Sequence, residues 1–238
     1  MTELLFQTDS YVQEFPATVV AVDADEGAVA LDRTAFFPGG GGQPCDLGAL
    51  QAGDHTAAVT RVKRQGERVW HRLDGELPAL GASVTGRLDW QRRYRLMRTH
   101  TALHILCGVV WRDYGAQVTG GNMEPLQGRM DFEFASLQRQ LVQEIEAKIN
   151  AEVRQGRDVR VQILPRQEAF RIPDLIRTKI NLLPAGITEV RTVEIVGLDL
   201  QADGGTHVAN TREVGGVRVV DYKSKGKINK RLHIALDV

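Results

Sequence analysis

Cysteine is scarce in this 238-residue chain, with only Cys45 and Cys107 present and far apart. That excludes a disulfide framework and a four-cysteine zinc site, and it points to a reducing compartment, the cytoplasm. No run approaches the ~18 consecutive apolar residues of a membrane-spanning helix. The opening MTELLFQTDSYVQEF carries Glu3 and Asp9 and lacks an apolar stretch of signal-peptide length. Charge of one sign is also missing: 30 Lys and Arg balance 30 Asp and Glu, so no global field draws in nucleic acid, and a basic surface has to come from local clustering. What remains is ordinary globular composition, 42% hydrophobic and 25% charged, enough for one large domain or two small ones.

From about residue 10 to 88 the chain alternates in short pieces. ATVVAVDADEGAVALD, HTAAVTRVKRQGERVWHRLD and GASVTGRLDW are period-two or β-branched runs broken by Asp-Glu-Gly, Gln-Gly and Asp-Gly turns. This reads as a small β-barrel domain over residues 1–89. Beyond Trp90 the period becomes helical, with Leu96, Thr99, Leu103, Leu106, Val110 and Trp111 near one stripe, so a second domain spans 90–238. There RMDFEF reads as a strand, and Ser136 as the cap of a helix whose apolar face runs from Leu137 to Val153 and ends at Gly156. A short helix is expected around PDLIRTKI. Strands follow in TEVRTVEIVGL, GVRVVDYKSKG and KRLHIALDV. Without a strict βαβ rhythm, the fold class is α+β, a barrel followed by an antiparallel sheet with helices.

Two short stretches carry chemistry. RTHTALHIL sets His100 and His104 at i, i+4 on a helix, one turn apart on one face, where two imidazoles can chelate one cation. Alone, the pair reads equally as a polar stripe on a half-buried helix, because the glutamate of the extended zinc-helix motif is absent. LQADGGTHVANT adds Asp203 and His207 around Gly204-Gly205, a pivot that favours a tight turn and can aim both side chains at one centre. By itself it is also a common surface Asp-Gly turn. Together they offer three imidazole nitrogens and one carboxylate oxygen, enough for a tetrahedral divalent cation. Closed four-ligand sites are more often structural. An exchangeable position would let the cation polarise a carbonyl or activate water.

RTHTALHIL, QADGGTHVANTREVGG and the upstream FFPGGGGQPCDLG together resemble the signature set of the AlaX family, free-standing relatives of the editing domain of alanyl-tRNA synthetase. The resemblance runs essentially the whole chain. In that family His-x-x-x-His is followed by Cys-Gly-Gly-Thr-His, and the two histidines, the cysteine and the last histidine are implicated in zinc binding. The matching positions are His100, His104, Asp203 and His207. Asp203 stands where the family usually has cysteine. The formal charge is the same, but soft sulfur becomes hard oxygen, so the expected Zn2+ is less tightly held and a stronger Lewis acid.

By composition the run Gly39, Gly40, Gly41 and Gly42 is a mobile surface loop, and it lacks the Lys-Ser/Thr of a P-loop. The resemblance instead implies a barrel loop lying against the editing site, with Gln43 supplying an amide. It also marks Thr119 and Gly120 as selectivity positions, in a segment read as a loop, and Thr206 as substrate-binding. Cys45 and Cys107 read as packed structural residues. Basic residues cluster before the histidine helix and near the C-terminus. Arg92, Arg93, Lys225, Lys227 and Lys230 are the candidate contacts of a tRNA backbone track, although charge runs are usually solvated faces.

The resemblance implies a monomeric, metal-dependent deacylase of tRNA(Ala) mischarged with serine or glycine, with no membrane or DNA partner. Physics supplies a reason for such an enzyme. A pocket built for alanine cannot exclude glycine by size, and one methylene changes binding by only ~1–3 kcal/mol, so fidelity needs a second, hydrolytic site. Two rival readings stand beside it: a non-catalytic RNA-binding module with a structural metal, and a metal-dependent hydrolase of another ester or amide.

Overall fold

The alternation between residues 10 and 88 is realised as strands. The computed structural model describes residues 1–134, 136–177 and 186–238, which divide into Met1–Tyr94 and Arg95–Val238. The first unit holds β1 (Glu3–Leu4), β2 (Glu14–Asp23), β3 (Ala28–Leu31), β4 (Arg33–Thr34), β5 (Gly48–Ala52), β6 (His55–Gln65), β7 (Arg68–Asp74) and β8 (Ser83–Leu88). Strands β2, β3, β7, β6, β5 and β8 close an antiparallel barrel in that order, while β1 and β4 form a short parallel pair. In β6 the inward residues are Ala57, Val59 and Val62, and a register shift between Val59 and Arg61 explains the three-residue step. These pack with Phe15, Val19, Leu31, Phe36, Leu50, Val69, Leu73 and Val84 into one core. Each such side chain contributes roughly 1.5–3 kcal/mol when fully buried.

Helix α1 (Trp90–Tyr114) starts in the first unit and continues through the second. Asp89 caps it, its Oδ1 accepting the Arg92 N–H at 3.1 Å. The expected apolar stripe proves to be an all-round surface: every residue from 99 to 110 is buried. A helix with no solvent face is central to its unit. His100, Thr101 and His104 therefore lie where an unpaired polar group is costly.

Around α1 the second unit builds β9 (Val118–Glu124), β10 (Gln127–Glu133), α2 (Arg139–Gln155), β11 (Val159–Pro165), α3 (Arg166–Ala169), β12 (Glu189–Ile195), β13 (Asp199–Ala202), β14 (Val217–Ser224) and β15 (Asn229–Leu236). Two antiparallel sheets result, of order β14-β15-β10-β9 and β11-β12-β13. The α+β expectation holds.

Several local readings are corrected. The segment read as a loop around Thr119 is β9, whose Gly120-Gly121 pair weakens the strand signal but not the pairing with β10. Ser136 is not the cap of α2: the helix starts at Arg139, with Gln138 extended at the N-cap and no side-chain capping bond. Its end is as expected, with Gly156 left-handed at φ 68° and its N–H bonded to the Val153 carbonyl. Of the short helix expected over 173–180, residues 173–177 are not helical and 178–180 lie outside the described residues. The short helix forms earlier, as α3. Strands β11 and β13 add to those expected from the sequence. Among the described residues, no helix is long and apolar enough to cross a membrane.

Candidate metal centre

His100 and His104 project from α1, and Asp203 and His207 lie just after β13, where the Gly204-Gly205 pivot turns the chain. One potential ligand atom from each of these four residues lies within 4.8 Å of the others. Asp203 Oδ2 is 3.0 Å from His207 Nε2, and Oδ1 is 3.5 Å from His100 Nε2. The His100 and His207 rings stack at 4.2 Å, while His104 meets His207 edge-on at 4.7 Å. The turn is held by the Asp203 carboxylate and by Arg191 of β12. Gly205 N–H donates to Asp203 Oδ2 at 2.7 Å, the Asp203 N–H to the Arg191 carbonyl at 3.1 Å, and Arg191 Nη1 to the Asp203 carbonyl at 2.9 Å.

The outward nitrogens are held as well. His207 Nδ1 lies 3.2 Å from Thr101 Oγ1, which also accepts the Val208 N–H at 3.2 Å. His104 Nδ1 lies 3.0 Å from Asp199 Oδ2, leaving Nε2 for the cluster. Sequence reading missed Thr101 and Asp199, since one sits between the histidines as an ordinary helix residue and the other is a lone acid in VGLDL.

Burial acts on every group of the site, and its partners decide the outcome at two of them. It pushes the His207 imidazole down to about 4 and His100 well below its usual range, and the Asp203 charge only partly offsets this. For His104 burial also acts downward, but the hydrogen bond and charge of Asp199 outweigh it and the net direction is up. Burial alone would raise the Asp203 carboxyl, whereas His100 and then His207 hold it well below the carboxylate range. At neutral pH the set thus presents an ionised carboxylate beside neutral His100 and His207, the protonation state that ligation requires. Three imidazoles and one carboxylate, buried and converging, fit a borderline divalent cation such as zinc.

The other sequence candidates are distributed differently. Gly40 and Gln43 frame a defined turn, exchanging both backbone bonds, at 3.0 and 2.9 Å, across Gly41 and Gly42, whose φ values are 59° and 90°. Two consecutive positive φ values mark a two-residue hairpin turn of the primed kind. Gly39 also has a positive φ, and Gln43 is buried. Thr119 bulges out of the β9–β10 register, its hydroxyl bonded to Asn229 at 3.1 Å, while Gly120 pairs with Asp131. Thr206 is fully buried beside His207.

The basic candidates separate by burial. Arg93 is completely buried and chelates Asp46 while donating to the Ser10 and Ala35 carbonyls, so it is a structural ion-pair residue, not a phosphate contact. Arg92 is half-buried, with Nη2 at 3.4 Å from the Cys45 carbonyl. Lys230 is buried too, its ammonium donating to Ser224 Oγ and to the Gly226 and Lys227 carbonyls, which closes the β14–β15 turn. Lys225 and Lys227 are exposed. Cys107 is buried and Cys45 half-buried, both as free thiols.

Comparison with known proteins decides the family. Residues 7–92 match the profile described as tRNA synthetases class II (A), and residues 190–233 the Threonyl and Alanyl tRNA synthetase second additional domain. The chain is 39% identical to the alanyl-tRNA editing protein AlaX-M of Saccharolobus solfataricus over 98% of both chains. The chain belongs to the AlaX-M family. The AlaX-M protein of Methanosarcina barkeri is likewise 39% identical, over 99% of both chains. The alanine–tRNA ligase of Ignicoccus hospitalis is 38% identical over 93% of this chain but only 24% of its own length, so the AlaX-M architecture corresponds to one part of that larger protein.

Proposed function

We propose that this chain is a hydrolase that cleaves the ester of tRNA(Ala) carrying the wrong small amino acid, serine foremost and glycine second. The observation that carries the proposal is the convergence of His100, His104, Asp203 and His207 on one buried point in a chain matched end to end by AlaX-M proteins. These four residues would hold one Zn2+, with Asp203 providing the single anionic donor. Bound there, the ion would supply Lewis acidity toward a carbonyl, a water or the substrate amino group.

The protein's own residues set the conditions for that chemistry. Asp203, fixed by the Gly205 N–H and by Arg191, keeps negative charge beside neutral His100 and His207 in a site largely closed to solvent. Thr206, fully buried between the pivot and His207, is read as the substrate neighbour. In the barrel, a side chain at Gly40 or Gly41 would meet nothing within 4 Å, so the turn is open on that side, and its glycines are read as substrate neighbours. Discrimination against alanine follows if serine's hydroxyl satisfies a polar group that alanine leaves unpaired. Exposed Lys225 and Lys227 contribute to tRNA encounter, and the reaction belongs in the cytoplasm with the protein as a monomer.

The test is deacylation of seryl-, glycyl- and alanyl-tRNA(Ala) with and without a chelator. Chelator-sensitive loss of the seryl ester, with the alanyl ester spared, is the expected outcome. Binding of tRNA without turnover would instead support an RNA-binding module with a structural metal, and turnover of simple esters alone a hydrolase of different specificity.

A further inference from the structure

We infer that Asp199 is a positioning residue of the metal centre: its carboxylate fixes His104 as the Nδ1–H tautomer, so that Nε2 is the ligating atom. The inference rests on the metal reading above and extends it to the residue behind the ligand. Three observations converge on Asp199. Its side chain is 0% exposed, and its Oδ2 stands 3.0 Å from His104 Nδ1. Gln201 Nε2 donates to the same oxygen at 2.7 Å, which fixes the carboxylate from a second side. Arg177 Nε lies 3.7 Å from Oδ1, near enough to balance the charge but outside hydrogen-bond range, so the directional bonds are those to His104 and Gln201.

The backbone is shaped for this contact. His104 and Gly108 are four residues apart on α1 and so share a face. A Cβ at Gly108 would come within 3.1 Å of Asp199 Cβ and 2.9 Å of Leu198 Cγ, so only glycine lets the helix lie this close to the β12–β13 turn. Asp199 and Gln201 alternate along β13 and so share a side, and Asp203 follows directly after the strand ends. One stretch of chain thus delivers both the carboxylate behind His104 and the carboxylate among the ligands. Carboxylate–imidazole pairs of this kind set the tautomer and ring orientation of metal-binding histidines, and their loss costs roughly 10–100-fold in metal affinity. His207 has a hydroxyl, Thr101, in the corresponding place.

The experiment uses the full chain stripped of metal, with folding checked by circular dichroism. Zinc affinity is measured by competition with a chromophoric chelator, and the His104 tautomer by long-range proton–nitrogen NMR of the metal-free protein. Wild type, at a pH high enough for His104 to be neutral, should show it protonated at Nδ1 and not at Nε2. Asp199→Ala should lose that preference and bind zinc roughly 10–100-fold more weakly. Asp199→Asn, which keeps the shape and one acceptor oxygen, should retain the tautomer and fall between the two in affinity. A merely structural role would destabilise the fold without moving the tautomer. Folded Asp199→Ala with wild-type tautomer and affinity overturns the inference, and if that variant does not fold, wild-type zinc affinity in Asp199→Asn does so. Failure of wild type itself to bind zinc would sink the metal reading, while the His104 tautomer would still decide the role of Asp199.

Discussion

Replacing Arg93 by methionine removes a fully buried guanidinium and leaves Asp46, itself 1% exposed, as an uncompensated charge. Arg93 Nε contacts both Asp46 oxygens at 3.0 Å and Nη1 donates to the Ser10 carbonyl at 2.9 Å, while Nη2 reaches Asp46 Oδ2 and the Ala35 carbonyl. Methionine fills much of the same volume, so the loss is mainly electrostatic. Removing one partner of a buried pair costs about 3–5 kcal/mol. The Phe37 N–H still reaches Asp46 Oδ2 at 2.6 Å, which places the expectation at the lower end of that range. Against a typical stability of ~5–15 kcal/mol, the change is large. Urea unfolding followed by tryptophan fluorescence reads it, since Trp70 and Trp90 belong to the first unit. Adding Asp46→Leu should recover much of the loss, because an apolar pair can replace a buried ion pair at little cost. Wild-type stability in Arg93→Met, together with weakened tRNA affinity, would refute the reasoning and return Arg93 to the tRNA surface.

Acid should destabilise the metal-free protein through its histidines. Burial pushes His71 and His207 to about 4 and His100 well below its usual range, whereas unfolded histidine stays near ~6.5. Their stability is therefore present above ~6.5 and lost as pH falls through about 4. His104 is raised and acts oppositely, contributing below ~6.5 and losing that contribution as pH rises, but it is outnumbered. A urea midpoint unchanged between neutral pH and the low end of this window would contradict the assignment. Changing Lys225 and Lys227 to Gln should weaken tRNA binding across sequences and flatten its salt dependence by a slope of about two, while Lys230→Gln should instead loosen the β14–β15 turn by ~1–3 kcal/mol. An unchanged salt slope would make the exposed lysines merely solvated. Valine at Gly40 and Gly41 should slow deacylation with metal content retained, whereas Asn at Gly41 should be tolerated by its positive φ. Unaltered rates in the valine protein, for every mischarged tRNA, would remove the turn from the substrate side.

Local spacing made the four-residue cluster legible. His100 and His104 are neighbours on any helix, and Gly204-Gly205 marks a turn wherever it occurs, so the two halves of the site could be read before their convergence was known. The barrel was legible for a similar reason, since half-buried strands write their period directly into the sequence. What escaped depends on long-range packing. Arg93 sits in a run of arginines that reads as a surface track, and only Asp46, 47 residues away in sequence, turns it inward. Lys230 is equally indistinguishable from Lys225 and Lys227 until the hairpin closes around its ammonium. Strand β9 was hidden by its paired glycines, and Asp199 by the absence of any local motif around it.

The most direct test joins metal content to turnover in Asp203→Ala. Zinc per chain, measured by elemental analysis, and the rate of seryl-tRNA(Ala) deacylation are determined on the same folded preparation. With Asp203 as the fourth ligand, occupancy and rate should fall together, and Asp203→Cys should restore occupancy with a zinc–sulfur bond near ~2.3 Å seen by X-ray absorption. Full zinc occupancy in Asp203→Ala, with His100, His104 and His207 holding the ion alone, would contradict the four-ligand centre.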